Sequence, residues 1–264
     1  VRRLIRIDDV TAGRIEFMHM ALSVALEKGE LFALYQPQLD IDGQTVVCAE
    51  ALLRWQRPGM GLINPDDFVP FAEHNELIDS LGSFILERAC QTAASWGNLP
   101  VSINVSPLQF ARAGLDDFIL DVAQRAGLPL TRLEIEITET AAFTDLAAAR
   151  VMIERLRAHG VKLSLDDLGS GYATTCLMQG LPLDRVKLAK SMVDLATTSA
   201  GAEGVAKTVS EALALGLKVT AEGVETPEQF ARLKACGCDR VQGFLFARPM
   251  SADELSSFAG LSTA

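Results

Sequence analysis

Between residues 31 and 247 the chain alternates two hydropathy patterns. In one, apolar and polar residues exchange at nearly every step, the period of a strand with one apolar face; in the other, apolar residues recur every three or four positions, the period of an amphipathic helix. Eight segments carry the first pattern or a short β-branched version of it: LFALYQPQ (31–38), TVVCAEALLRW (45–55), VSINVS (101–106), LEIEITE (133–139), VKLSLDD (161–167), RVKLAK (185–190), KVTAEGV (218–224) and RVQGFLF (240–246). Stretches such as SLGSFILERACQTAASW (80–96), LAAARVMIERLRAHG (146–160) and GVAKTVSEALALG (204–216) fall between them and stop at Gly or Gly-Asn, as helix C-termini do. Eight strands with intervening helices predict an α/β fold, a modified TIM (β/α)8 barrel. The first connection, LDIDGQT (39–45), is too short for a helix and carries an Asp-Gly turn. Strand one is therefore expected to hairpin onto strand two, which makes it the one antiparallel strand.

Strands buried on both faces of a parallel barrel usually read as unbroken apolar runs. Here Val101, Ile103 and Val105 alternate with Ser102, Asn104 and Ser106, and Leu133, Ile135 and Ile137 alternate with Glu134, Glu136 and Thr138. With the apolar faces turned to the outer helices, the polar faces point to the barrel axis. The last inward position of each strand is then Glu50, Asn104, Glu136, Asp166, Lys187, Glu222 or Gln242, and all meet at the C-terminal mouth, where barrel active sites lie. Asp167 follows Asp166 directly, and two adjacent strand residues can serve one site only where the strand ends and turns. Any one of these residues is more simply a solvated strand end. Together, so many carboxylates repel one another unless cations neutralise them, and an all-oxygen set suits two Mg²⁺ or Mn²⁺ ions sharing a carboxylate.

Composition narrows the picture. At 264 residues and 49% hydrophobic content, one barrel domain is expected, residues 31–264, preceded by a helical lead-in over 1–30 that links it to the rest of a larger protein. A net charge of −10 with no basic run argues against binding a nucleic acid polymer. No apolar stretch is long enough for a signal peptide or a membrane span, so the domain is expected to be cytoplasmic, with any membrane anchor in other parts of the full-length protein. The five cysteines, Cys48, Cys90, Cys176, Cys236 and Cys238, lack zinc-ligand spacing and read as buried thiols. His74 lies off the strand ends and reads as a surface or packing residue, and the Gly pair at 169 and 171 as a flexible loop.

The strand-end residues also fall in motifs: Glu50-Ala51-Leu52 within AEALLRW, YQPQ (35–38), NVS (104–106), EITE (136–139), DDLGSGY (166–172), AEGVET (221–226) and QGFLFARP (242–249). In this order they resemble the EAL domains, phosphodiesterases that act on the bacterial messenger cyclic di-GMP. The resemblance covers the chain from about residue 20. It implies two-metal hydrolysis of cyclic di-GMP to the linear dinucleotide pGpG, with an activated water as nucleophile. Glu50, Asn104, Glu136 and Asp166 match ligands of the first metal; Asp166 is shared, Asp167 serves the second, and Glu222 holds the second metal or its waters. Lys187 matches the catalytic lysine and Gln242 a residue near the activated water. Gln36, Leu52, Arg54 and Glu225 match substrate contacts, and Glu139 a residue supporting the loop after Asp167. A homodimer, and sensor or GGDEF domains elsewhere in the full-length protein, are further implications.

Two stretches depart from the family pattern. In the loop after the acid pair, Leu168, Ser170, Ala173 and Thr174 replace an aromatic, a threonine and two serines; after Lys187, Ala189 stands where an aspartate is common and Lys190 where an arginine often follows. Turnover and dimer strength are the properties these changes touch. A non-catalytic or weakly active cyclic di-GMP receptor is therefore the rival reading, and a barrel enzyme for another phosphoester a third.

Overall fold

The computed structural model describes residues 20–75, 77–138, 146–169, 174–198 and 200–261. Its strands are β1 (Leu31–Asp40), β2 (Val46–Arg57), β3 (Gly61–Ile63), β4 (Val101–Val105), β5 (Leu133–Thr138), β6 (Lys162–Leu168), β7 (Arg185–Leu188), β8 (Lys218–Ala221) and β9 (Arg240–Val241). The helices are α1 (ending at residue 28), α2 (Pro65–His74), α3 (Ile78–Ala94), α4 (Pro107–Phe110), α5 (Leu115–Ala126), α6 (Leu146–Ala158), α7 (Thr174–Gly180), α8 (Lys190–Leu195), α9 (Ala202–Ala214), α10 (Pro227–Cys236) and α11 (Ala252–Phe258). β2 and β4 to β9 run parallel in sequence order, and β1 closes the barrel by pairing antiparallel with both β2 and β9. The expected barrel with its single antiparallel member is thus present. The extra strand β3 hairpins onto the outer end of β2; three residues are too few for an alternation to be read.

The alternation decides which way each strand faces. Val101, Ile103, Leu133, Ile135, Ile137, Leu163, Leu165 and Val186 are buried in one apolar layer with the helices. Helix α3 contributes Ile78, Leu81, Ile85, Leu86, Ala89 and Ala93, the three-to-four spacing of a single face. Each large aliphatic side chain so buried stabilises by about 1.5–3 kcal/mol. The polar set is buried too, in the lumen: Ser102, Glu134, Glu136, Ser164, Arg185, Lys187, Thr220 and Arg240. Lys187 of β7 reaches Glu136 of β5, and Arg240 of β9 reaches Glu134 of β5, contacts that cross the barrel rather than join neighbouring strands.

The last strands are shorter than their hydropathy suggests. β8 ends at Ala221 and β9 at Val241 because the chain turns out of the sheet at Glu222 and Gln242. Gly243 allows this exit: a Cβ there would lie 2.1 Å from the carbonyl oxygen of Val224. Near the other terminus, Leu22 and Ala25 of α1 pack with Trp55, Phe68 and Leu81, and the Trp55 indole N–H donates to Glu30 at 3.0 Å. His74 is exposed at the end of α2. Not all thiols are buried as expected: Cys176 is exposed and Cys236 half-buried, since both lie on outer helices rather than on strands.

Candidate active site

The acid pair sits on a bulge. β6 pairs with β7 at Leu165↔Val186 and again at Leu168↔Leu188, so Asp166 and Asp167 together face Lys187 alone. Two residues opposite one break the strict alternation and re-aim a side chain. Asp167 takes up the extra length with φ of 56°, a left-handed conformation that aspartate tolerates better than most residues. The backbone N–H of Asp167 donates to Asp166 Oδ1 at 2.9 Å, which fixes the first carboxylate. As a result, one carboxylate oxygen each from Asp166, Asp167 and Glu222 lie within 4.8 Å of one another.

Around this trio the other expected residues converge. Lys187, 1% exposed, places Nζ 2.5 Å from Glu136, 2.5 Å from Glu222, 3.3 Å from Asp166 and 3.8 Å from Glu50. The Asn104 amide donates to Glu50 Oε1 at 2.7 Å, and the Gln242 amide donates to Glu50 Oε2 at 2.7 Å and to Gln36 Oε1 at 3.1 Å. Gln36 in turn donates to the carbonyl of Ala247. Burial pushes the Glu136 carboxyl up to about 8, and Glu50 and Asp166 add to the rise while Lys187 opposes it. Glu222 is raised well above the carboxylate range by burial and then by Asp166. Asp167 is raised as well, by partial desolvation and by Asp166. For Lys187 burial favours the neutral amine, but Asp166, Glu136, Glu222 and Glu50 outweigh it and hold the ammonium.

Two openings meet at the cluster. One, of about 500 Å³, is lined by Leu52, Arg54, Asn104, Asp166 and Asp167 and by Asp66, Glu73 and Ser106 from outside the barrel. The other, of about 290 Å³, is lined by Gln36, Glu50, Asp167, Glu222, Glu225 and Gln242, with Lys190 and Phe244. Leu52, Arg54, Gln36 and Glu225 therefore all border the acid cluster, while Glu139 lies outside the described residues. Lys190, noted in the sequence only as a departure from the family pattern, and Phe244, not noted there, each stand within three residues of a strand-end residue. Lys190 bridges Glu225 at 3.1 Å and Asp194 at 3.3 Å.

A family model described as "EAL domain" matches residues 19–249. The chain belongs to the EAL domain family. MucR of Pseudomonas aeruginosa, a bifunctional diguanylate cyclase/cyclic di-GMP phosphodiesterase, is 38% identical over 248 residues, covering 92% of this EAL chain and 36% of MucR. The chain thus spans about a third of that relative's length. A solved structure of the PaMucR phosphodiesterase in complex with c-di-GMP matches with a TM-score of 0.86 at 38% identity, over 90% of this chain and 99% of that one. A calcium and cyclic di-GMP complex of Klebsiella pneumoniae BlrP1 matches at 28% identity and a TM-score of 0.74, over 84% of this chain and 56% of that one.

Within this EAL domain the donor set fits divalent cations. Glu136 Oε1 and Gln242 Oε1 are buried acceptors without a hydrogen-bond partner among the described residues, and four carboxylates share the ammonium of Lys187. Oxygen acceptors left in excess are what a hard cation requires. Of the departures from the family pattern, Leu168 is fully buried in β6, Ser170 and Ala173 lie outside the described residues, and Ala189 starts α8 without a side-chain cap. No described helix is long and apolar enough to cross a membrane.

Proposed function

We propose that this domain hydrolyses cyclic di-GMP to linear pGpG with two Mg²⁺ or Mn²⁺ ions. The observation that carries the reading is the excess of converging carboxylates, Glu50, Glu136, Asp166, Asp167 and Glu222, over a single buried ammonium at the open mouth of the barrel. Glu50, Asn104, Glu136 and Asp166 would hold one ion, and Asp166, Asp167 and Glu222 the other. When bound, the ions supply neutralisation of the carboxylates and the phosphodiester, and they lower the pKa of a water from about 15.7 toward neutrality.

The chain's own residues do the rest. Gln242 and Asn104 each donate to one oxygen of Glu50, which holds that carboxylate of β2 between β4 and the turn after β9. Lys187 Nζ, held charged, orients an attacking water beside Glu222 and Asp166 and keeps its ionised form stable. Arg54 and Leu52 on the larger opening, and Gln36 and Glu225 on the smaller, would border the dinucleotide on either side of the phosphate. Hydrolysis adds one water across one of the two phosphodiesters. A homodimer, a cytoplasmic setting and further sensor or GGDEF domains belong to the same proposal.

The receptor reading rests on Ala189, which leaves the first turn of α8, three residues from Lys187, without a capping side chain. Incubating the domain with cyclic di-GMP and Mn²⁺ separates the two. Accumulation of pGpG supports the enzyme, and saturable binding of intact cyclic di-GMP with no product supports the receptor.

A further inference from the structure

At the end of the barrel opposite the acid cluster, four consecutive strands each begin with a cation: Lys162 in β6, Arg185 in β7, Lys218 in β8 and Arg240 in β9. With Arg157 of α6 they line a cavity of about 330 Å³. In a chain of net charge −10 this is a marked local reversal of sign. Three carboxylates answer the five cations. Asp184 takes Arg157 through two contacts of 3.2 Å and Lys162 at 3.3 Å. Glu134 lies 3.1 Å from Arg240 and 3.7 Å from Arg185, and Asp239, outside the cavity wall, pairs with Arg185 at 2.8 Å.

Five cations against three carboxylates leave the cluster with a surplus of two positive charges. Lys218 is exposed and has no ion pair among the described residues. Arg240 is buried; its Nη1 donates to Gln38 at 2.7 Å and to Glu134 at 3.1 Å, and its Nε has no acceptor among the described residues. Guanidinium and ammonium groups converging from several strands match the charge and the multiple acceptor oxygens of a phosphate group.

We propose that this cavity binds a phosphate group, either free or carried on a small phosphomonoester, at the N-terminal end of the barrel. The site shares no residue with the acid cluster and does not depend on the hydrolase reading. The test is calorimetric titration of the whole chain with inorganic phosphate and, separately, with GMP, at constant ionic strength. EDTA keeps divalent ions from capturing phosphate at the acidic end. Saturable one-site binding is expected, weakened about tenfold by Lys218→Glu and unchanged by Lys207→Glu on the exposed face of α9. Tighter binding of GMP than of phosphate assigns an esterified ligand; equal binding assigns free phosphate. Absence of saturable binding by both ligands overturns the proposal, as does equal affinity in Lys218→Glu and the unaltered chain, or equal weakening by Lys207→Glu.

Discussion

Replacing Lys187 by Met removes the ammonium at the centre of the acid cluster and keeps most of the side-chain volume. At the 2.5 Å separations from Glu136 and Glu222, each attraction amounts to about 7 kcal/mol at an effective dielectric of about 20 once the carboxylate is ionised, which for Glu136 means above about pH 8. Most of that is offset by the desolvation of a lysine that is 1% exposed. What remains is the cost of leaving carboxylates buried without their partner, about 3–5 kcal/mol. In EDTA above about pH 8, where Glu136 is ionised, Lys187→Met should therefore lose about 3–5 kcal/mol in urea unfolding. Saturating Mn²⁺ neutralises the same carboxylates, and the loss should shrink below about 1 kcal/mol. Turnover of cyclic di-GMP, followed by chromatography of the product, should still fall by about 10²–10⁴, the range for a positioned proton-handling group. Equal destabilisation with and without Mn²⁺ would refute the idea that cations and Lys187 neutralise one cluster. Retained turnover would refute the catalytic role.

Three further outcomes follow from the geometry. Burial and neighbouring carboxylates raise Glu136 from 4.5 to about 8, so the folded, metal-free protein holds a proton that the unfolded chain releases. Its thermal midpoint in EDTA should be highest at acid pH and fall as pH rises from about 4.5 through about 8, while the gain from Mn²⁺ grows over the same interval; a midpoint rising across that window would contradict the assignment. Asp167→Asn keeps a residue that accepts a positive φ but loses the charge, so the Mn²⁺ concentration for half-maximal activity should rise about tenfold or more with the urea midpoint nearly unchanged, and an unaltered metal dependence would remove Asp167 from the site. Leu22→Ala empties a fully buried position in α1 and should cost about 2–5 kcal/mol; a change under about 0.5 kcal/mol would mean that α1 is no part of the folded unit.

Much of this was legible in the sequence because the barrel lumen is polar. The alternation in VSINVS, LEIEITE and VKLSLD marked inward and outward faces, and the inward strand ends Glu50, Asn104, Glu136, Asp166, Lys187, Glu222 and Gln242 do meet in the structure. The limits were local. Period-2 reasoning places Asp166 and Asp167 on opposite faces, and only the bulge against β7 brings them together. β3 depends on pairing with β2 and not on its own pattern. Lys190 borders the site from the first turn of α8 and Phe244 from a turn after β9, segments that the hydropathy of RVKLAK and RVQGFLF disguised as strand. The cations opening four strands were visible as residues, but only the fold makes them neighbours.

The acid cluster is proposed to bind divalent ions and cleave cyclic di-GMP. The most direct test is to incubate the domain with cyclic di-GMP in Mn²⁺ or Mg²⁺, with a parallel sample in EDTA, and to separate the nucleotides by chromatography. Time-dependent conversion to pGpG in the metal-containing sample, and none in EDTA, is the predicted result. Intact cyclic di-GMP recovered from metal-saturated protein that binds it would contradict the claim.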